Sequence, residues 1–391
     1  MEAWRVTITG MAFRGDGLAR SDDQLLFVHG AIPGEEVVAE IVARERRYIR
    51  ARVREVITPS PQRVEPPCPH FGQCGGCQWQ QIAYPAQLAY KTQLVSDQLR
   101  RRGSFDEAPV QPALGSVEGT EEPWGYRNQA RFSVDGQGRL GFMKMWRREF
   151  LPMDHCLLMH PTINEVLVTL QSRCFVRHQL LVRYGVNTGE LLINPEVPLD
   201  DLPFETGQLF YEEALLRQRF RITGPSFFQT NTRSAERIAR LVMERLELTG
   251  SEMVVDAYCG VGTFGILLAG QVRRVVGIEE SASALRDARY NGRDLDNVTF
   301  LQGKTEDLLP ELDGPVDAVI LDPSRKGCRR KVMDALLRLR PARVVYVSCE
   351  PATLARDLRW LADGGYELIE VQPIDQFPQT GHIECVATLH G

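Results

Sequence analysis

The sequence predicts an α/β protein whose C-terminal part is a doubly wound, mostly parallel, seven-stranded sheet. A small β-barrel precedes it at the N-terminus, and a central mixed β-rich domain lies between the two. Three observations carry this. From about residue 225, seven strand-like runs alternate with helical ones, the pattern of consecutive βαβ units. The first of those strands runs into a glycine-rich turn, DAYCGVGTFG at 256–265, which opens a helix. Residues 1–58, by contrast, are short alternating strands broken by glycine turns, as in small barrels.

With 391 residues, 43% hydrophobic and 25% charged, the chain has the bulk of a soluble protein of two or three domains. It has no run of about 18 apolar residues that would span a bilayer. The first residues, MEAWRVTITGMAFRGDG, lack the basic-then-apolar build of a secretory signal, so a cytoplasmic protein is expected. Nine cysteines in that setting suit metal ligands, nucleophiles or buried thiols better than disulfides. The net charge of −5 argues mildly against a nucleic-acid partner. Local charge answers part of that objection: Arg44, Arg46, Arg47, Arg50, Arg52 and Arg54 crowd one segment, and Arg100, Arg101 and Arg102 end a helical stretch. Either group supplies phosphate contacts or is simply a solvated face.

In chain order, WRVTITG, LLFVHG, EEVVAEIVA and IRARVREVI are the barrel strands, with a turn at 31–34. Pro59, Pro61, Pro66 and Pro67 mark a linker. A tight cysteine cluster follows at 68–80, then a helix from about Pro85 to Arg102. Between 125 and 222, QARFSV, LGFM, LLVRYGV and ELLINP read as strands and PTINEVLVTLQSR as a helix. The C-terminal strands are EMVVDAY, RRVVGIE, VTFLQG, VDAVILD, RVVYVSC, YELIEVQPI and HIECVATLH, with helices near 234–248, 281–293, 328–339 and 351–363. The domains are therefore drawn at 1–58, 59–224 and 225–391.

In the glycine turn, Gly260, Gly262 and Gly265 let the backbone approach a ligand at a helix N-terminus. Glu279 ends the second strand, where a carboxylate accepts hydrogen bonds from ribose hydroxyls. The G-x-G-x-x-G spacing leaves a nicotinamide enzyme to be weighed, as well as glycines that merely pack helix on strand. The fourth strand ends in LDPSRKG at 321–327 and the fifth in YVSCEP at 346–351. Both belong at the ligand-binding edge of such a sheet. Cys349 sits between a strand and a helix starting near Pro351, a position that can lower a thiol pKa. Glu384 ends DQFPQTGHIE at 375–384. A cysteine with a carboxylate is what methylation at C5 of a pyrimidine needs. The thiolate adds to C6 and makes C5 nucleophilic, and a base later removes the C5 proton. The target base must first leave its stack.

FFQTN at 227–231, DAYCGVGTFG, GIE at 277–279, DPSRKG, YVSCEPATLARDL at 346–358 and DQFPQTGHIE together resemble the ordered signatures of the RNA uracil-5 methyltransferase family. D-x-Y-C-G-x-G-T itself resembles the first motif of class I methyltransferases more than a nicotinamide fingerprint. Residues 1–58 resemble the TRAM domain of the family's ribosomal-RNA branch. The resemblance covers nearly the whole chain, most thinly across 105–220. It implies that Cys349 is the nucleophile and Glu384 the base. It also implies that Gln229, Tyr258, Glu279 and Asp322, with Thr263 as a weaker candidate, contact S-adenosylmethionine. Two departures stand out: Ser324 replaces the second proline usual after the fourth-strand aspartate, and Gly303-Lys304 replaces a common asparagine, so no contact is assigned there.

Cys68, Cys74 and Cys77 form C-x5-C-x2-C, and Cys156 in a distant Asp-His-Cys is the natural fourth ligand. Spacing alone leaves zinc and an iron–sulfur cluster open, and differs from the C-x3-C-x2-C of radical enzymes. The resemblance implies a [4Fe–4S] cluster with a structural or RNA-positioning role. Cys174, Cys259, Cys328 and Cys385 read as buried or incidental. Cytosine methylation, small-molecule methylation and a non-catalytic RNA-binding maturation factor are the competing readings. The expected product is 5-methyluridine, in 23S ribosomal RNA ahead of transfer RNA, made by a monomer with no obligate protein partner and no membrane association.

Overall fold

Three sheets and a hairpin realise this pattern in a computed structural model that describes residues 2–21, 23–116, 123–145, 147 and 149–391. The N-terminal strands are β1 (Ala3–Thr7), β2 (Gly10–Met11), β3 (Gly17–Ser21), β4 (Gln24–His29), β5 (Glu36–Arg44) and β6 (Tyr48–Thr58), in the order β1-β5-β6-β4-β3-β2. One stretch of chain, β1 to β2, thus supplies both edges. Thr9 N–H reaches the Leu18 carbonyl at 2.8 Å, so the sheet curls shut and leaves no long edge exposed. Ala19, Leu26, Val28, Val37 and Ala39 fill its interior. The expected barrel is present, although β2 and β3 were not foreseen as strands.

Helix α1 (Tyr84–Gly103) carries Pro85 in its first turn and is capped by Ser104 in the left-handed region, φ 54°. Its three terminal arginines suit the negative end of the helix dipole. The central sheet, β7 (Gln129–Val134), β8 (Leu140–Met143), β9 (Phe150–Pro152), β10 (Gln179–Tyr184) and β11 (Leu191–Asn194), is antiparallel, in the order β11-β10-β7-β8-β9. Helix α2 (Pro161–Leu170) buries Ile163, Val166, Leu167 and Leu170 against it. A hairpin of β12 (Phe210–Leu215) and β13 (Gln218–Thr223) follows, which the sequence reading did not contain. Its Glu213 is fully buried and accepts the Val186 and Asn187 amides at 2.8 and 3.0 Å.

The C-terminal part runs α3 (Thr232–Arg245), β14 (Met253–Ala257), α4 (Thr263–Leu268), β15 (Arg274–Glu279), α5 (Ala282–Asn291), β16 (Val298–Gln302), α6 (Thr305–Leu308), β17 (Ala318–Leu321), α7 (Arg330–Leu339), β18 (Arg343–Ser348), α8 (Pro351–Asp363), β19 (Glu367–Ile374) and β20 (Glu384–His390). Its sheet order is β16-β15-β14-β17-β18-β20-β19, with β20 alone running against its neighbours. Both faces are covered, as the apolar strands require. Val276, Val319 and Tyr346 pack toward Leu94, Leu336 and Leu358 of α1, α7 and α8. On the other side Val275, Ile320 and Val345 meet Ile238, Val242 and Leu268 of α3 and α4. Among the described residues no helix is long and apolar enough to cross a membrane.

A buried polar knot joins these parts. Lys91 of α1 and Asp375, just past β19, are both fully buried and meet at 2.5 Å. Lys91 Nζ also donates to the Phe377 carbonyl at 3.2 Å and lies 5.5 Å from the Trp79 ring centre. Burial pushes the lysine pKa down and the aspartate pKa up, and each ion opposes that shift in the other. Removing one member of such a pair leaves an uncompensated charge in the interior. Asp375→Asn should therefore lower stability in urea denaturation by about 3–5 kcal/mol. The apolar pair Lys91→Met/Asp375→Leu should recover most of it, and a double variant as unstable as the single one would contradict this.

Candidate active site

The carboxyl edge of the seven-stranded sheet opens into a cavity of about 610 Å³. Gln229, Tyr258, Thr263, Glu279 and Asp322 all line it, as do Cys349 and Glu384. Residues spread over 156 positions of sequence, 229 to 384, thus meet in one place.

Gly260 has φ 56° and open space where a side chain would begin, so its backbone is bare to the cavity. Gly262 and Gly265 work differently. A Cβ on Gly262 would lie 2.8 Å from Ile266, and one on Gly265 would lie 2.9 Å from Val275. They allow the tight turn into α4 and its close packing on the sheet. Gly265 N–H donates to Asp256 Oδ2 at 2.8 Å. Glu279 clamps both rims, accepting from Gly260 N at 3.0 Å and Ser281 N at 2.6 Å. Tyr258, not a glycine, holds φ 73°, a strained conformation of the kind found at ligand sites. Its ring borders the cavity while its hydroxyl is engaged with Thr305 and Cys328. Gln229 Oε1 accepts from Gln376 at 3.0 Å, which leaves its N–H groups for a ligand. Asn231 caps α3 through Ser234 N at 3.2 Å and so anchors the FFQTN segment.

Cys349 follows β18 and Glu384 begins β20. The ladder between these strands runs from Arg343↔His390 to Ser348↔Cys385. One further step of that register sets Cys349 opposite Glu384, and both side chains face the same cavity. Glu384 reaches the carboxyl edge of the sheet at the start of its strand, because β20 is antiparallel.

The cavity is a poor place for charge. Burial pushes the Cys349 thiol up to about 12, with the Glu384 and Asp322 carboxyls adding to the rise and Arg325 opposing it. Glu384 is held well above the carboxylate range by burial and then by Asp322, again opposed by Arg325. Asp322 rises to about 7 through burial and the Asp256 charge. His382, desolvated and near Arg325, drops to about 4 and stays neutral. Arg325, Ser281, Phe377 and His382 line the cavity without having been picked out as contacts. Each lies inside or beside a motif already singled out.

A second cavity, of about 230 Å³, gathers Cys68, Cys74, Cys77 and Cys156. Burial raises Cys77 to about 12 and also raises Cys74 and Cys156. Among the described residues no group of three or more His, Cys, Asp or Glu is placed to hold a metal ion. The thiols surround a void instead. Arg127, unremarked in the sequence, also lines this void, and its Nε is buried without a hydrogen-bond partner.

Comparison with known proteins shows what the chain as a whole is similar to. A family model described as tRNA (uracil-5-)-methyltransferase matches residues 214–390, and a TRAM domain model matches 2–53. The chain is 38% identical to an uncharacterized RNA methyltransferase of Gloeobacter violaceus, across 98% of this chain and 95% of that one. It is 36% identical to another from Halalkalibacterium halodurans, with 98% and 96% covered. Among solved structures it resembles the tRNA (uracil-54, C5)-methyltransferase of Pyrococcus abyssi in complex with S-adenosyl-L-homocysteine. That likeness has a TM-score of 0.78 and 27% identity, covering 99% of this chain and 100% of the other.

The raised thiol has a direct readout. With its pKa near 12, Cys349 should be about one part in ten thousand thiolate at pH 8 in the ligand-free protein. Its alkylation by iodoacetamide, followed by peptide mass spectrometry, should be slow at pH 8 and rise about tenfold per pH unit above it. A plateau below pH 9 would contradict the desolvated setting.

Proposed function

Because this chain belongs to the RNA (uracil-5-)-methyltransferase family, we propose that it methylates C5 of a uridine in RNA, with Cys349 as nucleophile and Glu384 as base. The observation that carries this is the juxtaposition of thiol and carboxyl on adjacent strands, at the mouth of a glycine-lined crevice. S-adenosylmethionine supplies the methyl group, and the bare Gly260 backbone, the Glu279 carboxylate and the free Gln229 amide fit such a nucleoside. Tyr258, Thr263 and Asp322 complete its walls.

The chain's own steps follow from the chemistry of the pair. The Cys349 sulfur, its proton given up to solvent, bonds to C6 of the flipped uracil, and the C5–C6 electron pair moves toward O4. C5 then takes the methyl group as the donor's sulfonium–CH3 bond breaks, with S-adenosylhomocysteine as the leaving group. The Glu384 carboxylate removes the C5 proton, the C5–C6 double bond re-forms, and the sulfur leaves. Arg325 favours both ionised forms. In this reading residues 1–58 dock RNA, 59–224 hold the cysteine centre and 225–391 perform the chemistry.

The four cysteines are read as ligands of a [4Fe–4S] cluster. What supports a metal centre is that all four line one cavity, and the family resemblance is what favours the cluster over zinc. Ribosomal RNA is the favoured substrate, on the combination of a TRAM domain with that cysteine centre. Transfer RNA is the second reading, because the solved relative from Pyrococcus abyssi acts on tRNA.

Two experiments test this. Glu384→Gln should form the C6 adduct but fail to release it, so a protein–RNA species should survive denaturing electrophoresis after incubation with undermodified total RNA. Cys349→Ala/Glu384→Gln should trap none, and equal trapping would remove Cys349 from the mechanism. Sequencing the trapped RNA should return ribosomal fragments, while tRNA alone would establish the second reading. Anaerobically purified protein should be brown, with about four irons and four sulfides per chain. Stoichiometric zinc without sulfide would overturn the cluster.

A further inference from the structure

A third cavity, of about 410 Å³, lies where the barrel meets α1, outside the sites described above. Phe13, Phe27 and Leu94 form its apolar walls, and Arg20, Asp97, Gln98 and Arg101 its polar rim. Phe27 meets Tyr48 edge-on with ring centres 5.1 Å apart, and Arg50 lies 5.9 Å from the Tyr48 ring. The cleft therefore continues onto the barrel surface as an aromatic and cationic strip.

Residues next in sequence to the cleft's lining come near the catalytic mouth. Phe13 is followed by Arg14 and Arg101 by Arg102, both exposed. Arg14, Arg102 and Arg325 all lie close enough for their charges to act on Glu350, the neighbour of Cys349. Asp97 holds Arg100 and Arg101, whereas Arg14, Arg102 and Arg325 form no direct ion pair within 4.0 Å among the described residues. The spacing is fixed by packing: a Cβ on Gly381, in the loop leading to Glu384, would lie 2.5 Å from the Arg14 backbone.

An enzyme that extracts one base leaves its neighbours unstacked. Aromatic walls under a cationic rim are the chemistry that receives such a base, since any base has a π-face to stack and a phosphate to neutralise. We propose that this cleft is a second nucleobase subsite, which takes an unpaired base on the same RNA strand as the target uridine, while Arg14 and Arg102 hold the phosphates between. The proposal rests on RNA as the substrate and not on the Cys349 chemistry.

Binding of fluorescein-labelled decauridylate to the full-length protein, followed by anisotropy over a salt series, tests it. Phe27→Leu keeps an apolar side chain in the barrel but removes the ring, and should weaken binding roughly 5- to 30-fold with the salt slope unchanged. Arg14→Gln/Arg102→Gln should instead flatten the slope by about 1.4, the value for two single-strand phosphates. Decauridylate carrying 4-thiouridine should cross-link on irradiation to peptides containing Phe13 or Phe27. Wild-type affinity in Phe27→Leu, cross-links confined elsewhere, or no binding of decauridylate to the wild type would each overturn the subsite. Equal Phe27 dependence for an acidic peptide of the same length would overturn its identity as a base site. Cys349→Ala should keep the whole Phe27 effect, so a failure of the proposed methylation chemistry would leave this difference intact.

Discussion

The Lys91–Asp375 contact fixes the loop on which the candidate base depends. Residues 375–383 connect β19 to β20 and are buried except for partial exposure at Phe377 and His382. A buried loop cannot leave its backbone groups to water. Here other segments satisfy them. Gln78 and Trp79 both donate their amides to the Gln379 carbonyl at 3.0 Å. Gln87 accepts the Gln379 amide and donates to its side chain, each at 3.0 Å. Tyr126 donates to the Pro378 carbonyl at 3.1 Å. Trp79 in turn donates to Gly15 of the barrel at 3.2 Å. Four separate parts of the chain thus converge on one loop, and Glu384 inherits its position from them.

The same burial sets the electrostatic problem of the site. Desolvation dominates the shifts of Cys349, Glu384 and Asp322, and the two carboxyls raise the thiol further instead of activating it. A thiol at the start of a helix is expected to be acidic, yet here the local carboxyls and the low-polarity cavity outweigh that. Burial and these carboxyls therefore bias the reactive pair toward its neutral forms in the free protein. Arg325, exposed at the mouth, is the countervailing charge, and its effect on both groups strengthens as the cavity closes to water. In the proposed reaction, ionisation of the pair is then tied to occupancy of the crevice.

Much of the site was legible in the sequence because each motif is local: a strand end, a turn and the first residue of a helix. The seven-stranded sheet was legible for the same reason, through alternation of strand and helix. What the sequence could not show was pairing at a distance. Lys91 and Asp375 are 284 residues apart, and a lysine amid Tyr90 and Thr92 reads as a solvated helix position. The facing of Cys349 and Glu384 depends on β20 reversing direction, which no local pattern announces. The hairpin β12–β13 was missed because Glu212 and Glu213 break its apolar alternation, although Glu213 is buried to hold neighbouring amides. Ion pairing within the arginine-rich segment at 44–54 was likewise not legible. Arg44 is tied to Glu2 at 2.7 Å and Arg52 to Glu40 at 2.9 Å, which leaves Arg46, Arg47, Arg50 and Arg54 for a ligand.

The cysteine segment shows how a region with little core can still carry a constraint. No residue of 61–78 is more than partly buried, and only at Trp79 does the chain enter the interior. So little apolar burial cannot fix a glycine-rich stretch against its conformational entropy. Yet Gln78 and Trp79, directly after Cys77, must present two aligned amides to Gln379. Backbone ties such as Cys74 to His70 and the bridge between Cys74 and Lys144 supply some order. A group bonded to Cys68, Cys74, Cys77 and the remote Cys156 would supply the rest, by cross-linking the segment to the central sheet. On the proposed reading, the cysteine centre acts on the chemistry mechanically: it holds the amides that hold Gln379, and through Gln379 the strand that begins with Glu384.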